Sequence, residues 1–209
     1  ECDAAPPKVQ QEATASGFEE RPFAVIPKVS QPPPLNGVPR GGDWGRAAVL
    51  TNPVYRGEFE ITAKLDFNTY LLYDDENIYV GFIVNQKRAP LAVTPAEAKG
   101  DDGLERDDAV QVIFSIPGAA KNPYQFKLNC NGQRDDAAPR HTFSWNADWR
   151  GNTAMNGKQW SATFAIPFKN FAVPAPKPGT HWGANFCAFL AGENYIGFCW
   201  SPNFQYHHL

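Results

Sequence analysis

Four polar side chains at strand-like spacing carry the chemistry this sequence offers. Gln111 stands between Val110 and Val112, Lys127 and Asn129 flank Leu128, and Asn185 separates Ala184 from Phe186. In an extended chain successive side chains point to opposite faces, so these polar residues share the side away from the apolar ones. An amide offers two donors and a carbonyl acceptor, and an ammonium group offers three donors. Sugar hydroxyls both donate and accept, so an amide row with one cation suits them. Rings nearby would cover the apolar C–H face of a pyranose. The same row also reads as an ordinary solvated sheet face, and both readings stand at this point. If residues 108–116 and 124–130 form a hairpin through Pro117–Pro123, Gln111 faces Asn129 and Lys127 faces Ile113.

Acidic residues come in runs: Asp74-Asp75-Glu76, Asp101-Asp102, Asp107-Asp108 and Asp135-Asp136. Asp side chains close turns by bonding the backbone ahead of them, and clustered carboxylates hold calcium. The turn reading is favoured for each run. A structural Ca2+ is the one cofactor expected, with Asp107 and Asp108 as candidate ligands, although no EF-hand spacing occurs. A glycosidase needs two carboxylates roughly 5–10 Å apart across a cleft. Neighbours on a strand, Asp107 and Asp108 point to opposite faces and make a poor pair. The G-x-S-x-G elbow of a serine hydrolase is absent. His141, His181, His207 and His208 are the only histidines, and the adjacent pair diverges on a strand. Met155, a weak candidate for haem ligation, lies in a polar stretch. The chain therefore reads as no enzyme. Trp145, Trp149 and Trp160 straddle residues 152–157, read as an Asn/Gly loop. They either pin that loop, the favoured reading, or expose one ring as a sugar platform.

Elements must position these groups, and the hydrophobic pattern names them. Phe59–Leu65, Ile78–Val84, Val110–Ile116, Tyr124–Cys130, Trp160–Ile166, Trp182–Leu190 and Ile196–Trp200 all alternate with period two. Asp74–Asn77 and Asn131-Gly132 are turn signals between them. Seven such strands and no long amphipathic helix predict an all-β fold, a two-sheet antiparallel sandwich of jelly-roll or immunoglobulin-like kind. Residues 44–209 form that sandwich. Residues 1–43, with the run Pro32-Pro33-Pro34, read as a Pro-rich, largely irregular N-terminal tail. A short helical turn is expected over Trp44–Leu50 with Asp43 as its cap. Cys187 and Cys199 fall opposite one another in a register symmetric about Glu193, as a disulfide or as buried thiols.

The bulk numbers exclude other classes. The 209 residues carry a net charge of −3 and no Lys/Arg cluster, which sets nucleic acid aside. No apolar run approaches the roughly 20 residues of a membrane span. The polar stretch that begins at Glu1 reads as no signal peptide, as in a mature or trimmed chain. Six Trp and fifteen Phe are ample for a core.

Seven stretches in order add a resemblance. They are Leu71–Phe82, Glu105–Val112, Tyr124–Gly132, Trp145–Trp149, Trp160–Phe168, Trp182–Cys187 and Cys199–Pro202. Over roughly Trp44 to Pro202 the chain resembles the family 9 carbohydrate-binding modules and the related DOMON-like sandwiches. The resemblance implies a secreted, periplasmic or cell-surface module that binds a polysaccharide or oligosaccharide without cleaving it. It also implies structural calcium in some members and haem in some DOMON-like relatives. Residue by residue, the family's first stacking ring would fall at Leu104-Glu105, its acid at Gln111, its basic residue at Lys127 and a Gln at Cys187. Its second ring would fall at Tyr206. The absent ring beside Glu105 keeps an alternative open: a structural or assembly protein without a working sugar site, docking to other subunits through its N-terminal tail.

Overall fold

The computed structural model describes residues 22–51, 53–56, 65–94, 104–118, 123–138, 145–191 and 196–201. Among them run eleven strands: β1 (Ala48–Leu50), β2 (Val54–Arg56), β3 (Asp66–Tyr73), β4 (Asn77–Asn85), β5 (Ala109–Ser115), β6 (Tyr124–Asn129), β7 (Arg134–Ala137), β8 (Arg150–Asn156), β9 (Gln159–Pro167), β10 (Gly183–Leu190) and β11 (Ile196–Cys199). They pair in two sheets, β1-β3-β4-β9-β8 and β2-β11-β10-β5-β6-β7. Every pairing is antiparallel. No helix among the described residues is long and apolar enough to cross a membrane.

The sequence alternation becomes the space between the sheets. Val80, Phe82 and Phe164 of the first sheet meet Val112, Phe126 and Phe186 of the second in one core. Trp149 stacks on Phe164, with ring centroids 5.4 Å apart and planes 6° from parallel. Burying a side chain of this size contributes about 1.5–3 kcal/mol, and ring contacts add specificity of orientation. Asp74 closes the β3–β4 turn as its type requires: Oδ1 accepts from the backbone of Glu76 and Asn77 at 2.8 and 2.7 Å. Asn131-Gly132 turns the chain between β6 and β7, with Gly132 at φ 85°.

In the described part of the Pro-rich segment Ala24 and Ile26 pack against the core between the sheets, and from Val29 onward the chain lies across the outer face of the first sheet. Val29 N donates to Tyr73 O at 2.8 Å, and Tyr73 N donates to Pro27 O at 3.1 Å. Further along, Gly37 N donates to Thr163 Oγ1 at 3.0 Å, and Asn152 Nδ2 donates to Leu35 O at 2.6 Å. Trp44, Val29 and Ala47 bury themselves with Leu72, Tyr79 and Ala165 in a second apolar cluster. Proline suits this path because a segment without ladder hydrogen bonds needs no N–H, and a fixed φ lowers the entropy lost on docking. Gly81 makes the approach possible: a Cβ there would stand 2.4 Å from Pro39 Cβ. Gly81→Val is expected to loosen the arm at a cost of about 1–3 kcal/mol. Limited proteolysis checks this. Cleavage within residues 22–43 should become faster than in the parent while the sandwich core stays resistant; equal rates would refute the packing argument.

Four expectations need correction or fall outside. The helical turn is a 3₁₀ turn at Gly42–Arg46 with Gly41 before it and no side-chain cap, and Ala48–Leu50 is strand, because it pairs with Thr69–Leu71. Residues 152–156 are not a loop but most of β8, an edge strand half exposed on both faces. Such a strand lacks the apolar alternation that marks one-sided burial. In the β5–β6 hairpin Gln111 pairs with Lys127, and Asn129 pairs with Ala109. This register differs by two residues from the expected one, a shift that keeps every side chain on its face. In this register Asn129 stands beside Ala109 and donates to Asp107 Oδ2 at 2.7 Å. The strand read over Phe59–Leu65 lies outside the described residues except for buried Leu65.

Candidate functional site

The second sheet has one transverse row that crosses its strands in register. Cys199 pairs with Cys187, Cys187 with Gln111, Gln111 with Lys127, and Lys127 with Asp135. All of these point away from the core, since their strand neighbours Val110, Val112, Phe126, Leu128, Phe186 and Ala188 fill it. Three of the positions are those that the family resemblance picks out, Cys187, Gln111 and Lys127, and the fold sets them side by side. Gln111 Nε2 donates to Gln125 Oε1 at 2.7 Å. Lys127 Nζ lies 5.3 Å from the centroid of the Phe189 ring, a cation–π distance.

This face is not open sheet surface. Gln111 is 5% and Lys127 8% exposed, and Cys187, Cys199, Ile113 and Phe189 form a small apolar cluster there. The expectation of a fully wet face therefore needs revision. Phe189 is what sequence reading missed; its signal was a large ring at an outward position, two residues after Cys187. Cys187 and Cys199 are buried thiols rather than a disulfide.

The other amides serve the fold. Asn129 accepts from the backbone of Asn131 and Gln133 and donates to Asp107 Oδ2 and Gln133 Oε1. Asn185 donates to Ser201 O and accepts from Ser201 N, at 3.2 and 3.0 Å, holding the chain that follows β11. Glu105 belongs to a 3₁₀ turn at Leu104–Arg106. Tyr206 lies outside the described residues, as do His141, His207 and His208.

Asp107 and Asp108 are anchors. Asp108 accepts five hydrogen bonds: two from Arg88 and one each from Gln86 Nε2, Leu91 N and Ala191 N. Asp107 accepts from Val93 N, Thr94 N and Asn129 Nδ2. All four carboxylate oxygens thus face protein donors, and a cation there would have to displace them. Among the described residues no three His, Cys, Asp or Glu side chains gather in a group suited to a metal ion. Burial pushes the Asp107 carboxyl up, but hydrogen bonds from Asn129, Thr94 and Val93 outweigh it and hold it below its ordinary value. Asp74 follows the same pattern: burial raises it, and bonds from Tyr79, Glu76 and Asn77 bring it lower. The neighbouring Cys130 thiol is pushed up to about 12, first by burial and then by Asp108 and Asp107, which makes it inert at neutral pH.

The depressed carboxyls set a sign for acid stability. Groups lower in the folded state than in the unfolded state stabilise the fold fully above the ordinary carboxyl range, about 4. That contribution is lost as pH falls through their lowered values. Urea midpoints are expected to drop steeply below about pH 4 in the parent and less steeply in Asp107→Asn. Equal slopes would contradict the assignment.

The tryptophans are structural. Trp149 and Trp160 are buried in the core, and Trp145, Trp182 and Trp200 pack against it. His181 is exposed.

No known protein-family profile matches the chain, and no curated protein does. Solved structures do match. A family 9 carbohydrate-binding module from Caldicellulosiruptor kristjanssonii in complex with cellotriose superposes with a TM-score of 0.61 at 14% identity, over 83% of this chain and 82% of that one. The same kind of module from that organism in complex with glucose gives 0.59 at 14%, over 83% and 84%. A Bacteroides uniformis protein, provisionally classed as carbohydrate-binding, gives 0.59 at 17%, over 75% and 78%. The chain has the fold of the family 9 carbohydrate-binding modules.

Proposed function

We propose that this protein is a non-catalytic carbohydrate-binding module whose saccharide docks on the outer face of the second sheet. One observation carries the reading: Cys187, Gln111 and Lys127 stand in one cross-strand row, in a fold shared with modules solved in complex with cellotriose and glucose. Lys127 donates to ring hydroxyls, the Gln111–Gln125 amide pair donates and accepts, and Phe189 adds an apolar surface beside them. Glu105 and Tyr206, at the two stacking-ring positions that the resemblance implies, are further contacts in this reading. A polysaccharide or oligosaccharide partner fits a protein outside the cytoplasm, and the reading includes that it is secreted, periplasmic or at the cell surface. Affinity electrophoresis and isothermal titration against cello-, xylo- and manno-oligosaccharides test it. Binding of at least one is expected in the micromolar to millimolar range; no binding of any at millimolar concentration, with calcium present, would refute it.

A second reading is favoured by one specific observation, that Asn129 and Asn185 are consumed by the fold and Gln111 is nearly covered. In it the sandwich is an assembly or scaffold unit. It would then bind no saccharide and would instead sediment with partner subunits.

A further inference from the structure

The two cysteines of the outer row are direct cross-strand partners. Cys187 of β10 pairs in register with Cys199 of β11. Both side chains face away from the core and share one small apolar cluster with Ile113 and Phe189. The ladder fixes what kind of pair they are. At the adjacent position Trp200 N donates to Phe186 O at 2.9 Å, which makes Phe186 and Trp200 a hydrogen-bonded pair. In an antiparallel ladder hydrogen-bonded and non-hydrogen-bonded pairs alternate, so Cys187 and Cys199 stand at a non-hydrogen-bonded position. Cα atoms at such a position are about 4.5 Å apart, with the side chains close together. A disulfide accepts Cα separations of about 4.4–6.8 Å. The remaining described cysteine, Cys130, belongs to the core between the sheets.

We infer that Cys187 and Cys199 are the reduced half of a cross-strand redox pair, which a low-molecular-weight disulfide closes into a cystine that staples β11 to β10. The step is thiol–disulfide exchange. One protein thiolate attacks a sulfur of the oxidant and releases one small thiol. The second protein thiolate then displaces the other small thiol from the mixed disulfide. The dithiol gives up two electrons and two protons, and the oxidant becomes two thiols. Burial shields the pair in the closed sheet, so exchange proceeds when the β10–β11 hairpin opens, or before it first closes. β11 has four residues and its outer neighbour β2 has three, so few ladder bonds hold this margin of the sheet. A cystine adds a covalent tie there without a change of register. Cys187 also pairs with Gln111, so the staple fixes the strand beside the saccharide row. The inference itself rests on the ladder and stands apart from saccharide binding. Disulfides persist outside the cytoplasm, the compartment that the saccharide reading includes.

The test holds the full reduced chain with oxidised glutathione in urea near its unfolding midpoint, where the hairpin opens and recloses, and then removes the urea. Peptide mapping is expected to give a Cys187–Cys199 linkage as the main product, with Cys2 and Cys130 unlinked. The oxidised chain should unfold at higher urea, its unfolding equilibrium about 10- to 100-fold less favourable than that of the reduced chain. Dithiothreitol should restore the reduced midpoint. Cys199→Ala should abolish both the linkage and the shift, and Cys130→Ala should keep them. The comparison of oxidised with reduced parent needs no substitution, so a variant that fails to fold leaves the test intact. Three results would each overturn the inference: a pair that stays reduced, linkage through Cys2, Cys130 or glutathione in place of the pair, or an oxidised chain no more stable than the reduced one.

Discussion

Asp108→Ala is expected to destabilise the protein by about 3–5 kcal/mol, the loss typical when one partner of a buried ion pair is removed. The carboxylate is fully buried and accepts from donors in three parts of the chain: Arg88 and Gln86 after β4, Leu91 further along, and Ala191 after β10. Without it, the Leu91 and Ala191 amides face an apolar gap and the guanidinium loses its counter-charge. Each unsatisfied buried donor costs about 1–3 kcal/mol. The reverse change, Arg88→Ala, removes the counter-charge but leaves Gln86, Leu91 and Ala191 donating to the buried carboxylate, so it should cost less than Asp108→Ala. Urea unfolding of both variants checks the claim. Losses below about 1 kcal/mol, the scale of an exposed surface pair, would contradict the anchor role.

Lys127→Ala is expected to weaken saccharide binding by about 10- to 100-fold, the range for losing charge-assisted hydrogen bonds. Lys127→Arg should recover part of the affinity because it keeps the charge. Gln111→Leu should weaken binding as well, since it removes the amide that bonds Gln125. The unfolding midpoint of each variant separates a lost contact from a lost fold. Parent-like affinity in Lys127→Ala would remove this row from the binding account.

The sandwich was legible because its core strands repeat apolar residues with period two. Val110, Val112 and Phe114 do so along β5 and all enter the core between the sheets, whereas Ile113 on the other face and the burial of both faces were not written in that pattern. The edges were not legible. Arg150–Asn156 carries no apolar stripe, because an edge strand with two half-wet faces has nothing to bury. The arm was readable as irregular, but nothing in a run of prolines tells which surface it will cover; that depends on Gly81 and Thr163, far along the chain. The site was partly legible. Alternation placed Gln111 and Lys127 on one face, while Asn129 and Asn185 looked equally available there. Their capture by Asp107 and Ser201 depends on loop paths that spacing does not encode. The partner of Asp108 was out of reach for the same reason, since Arg88 lies twenty residues away across a loop.

The most direct measurement is a map of backbone amide shifts as a bound oligosaccharide is titrated into labelled protein. Perturbations centred on Gln111, Lys127 and Phe189, and spreading to Cys187 and Gln125, are the result this account requires. A bound saccharide that perturbs only the first sheet, or any other surface, would contradict it.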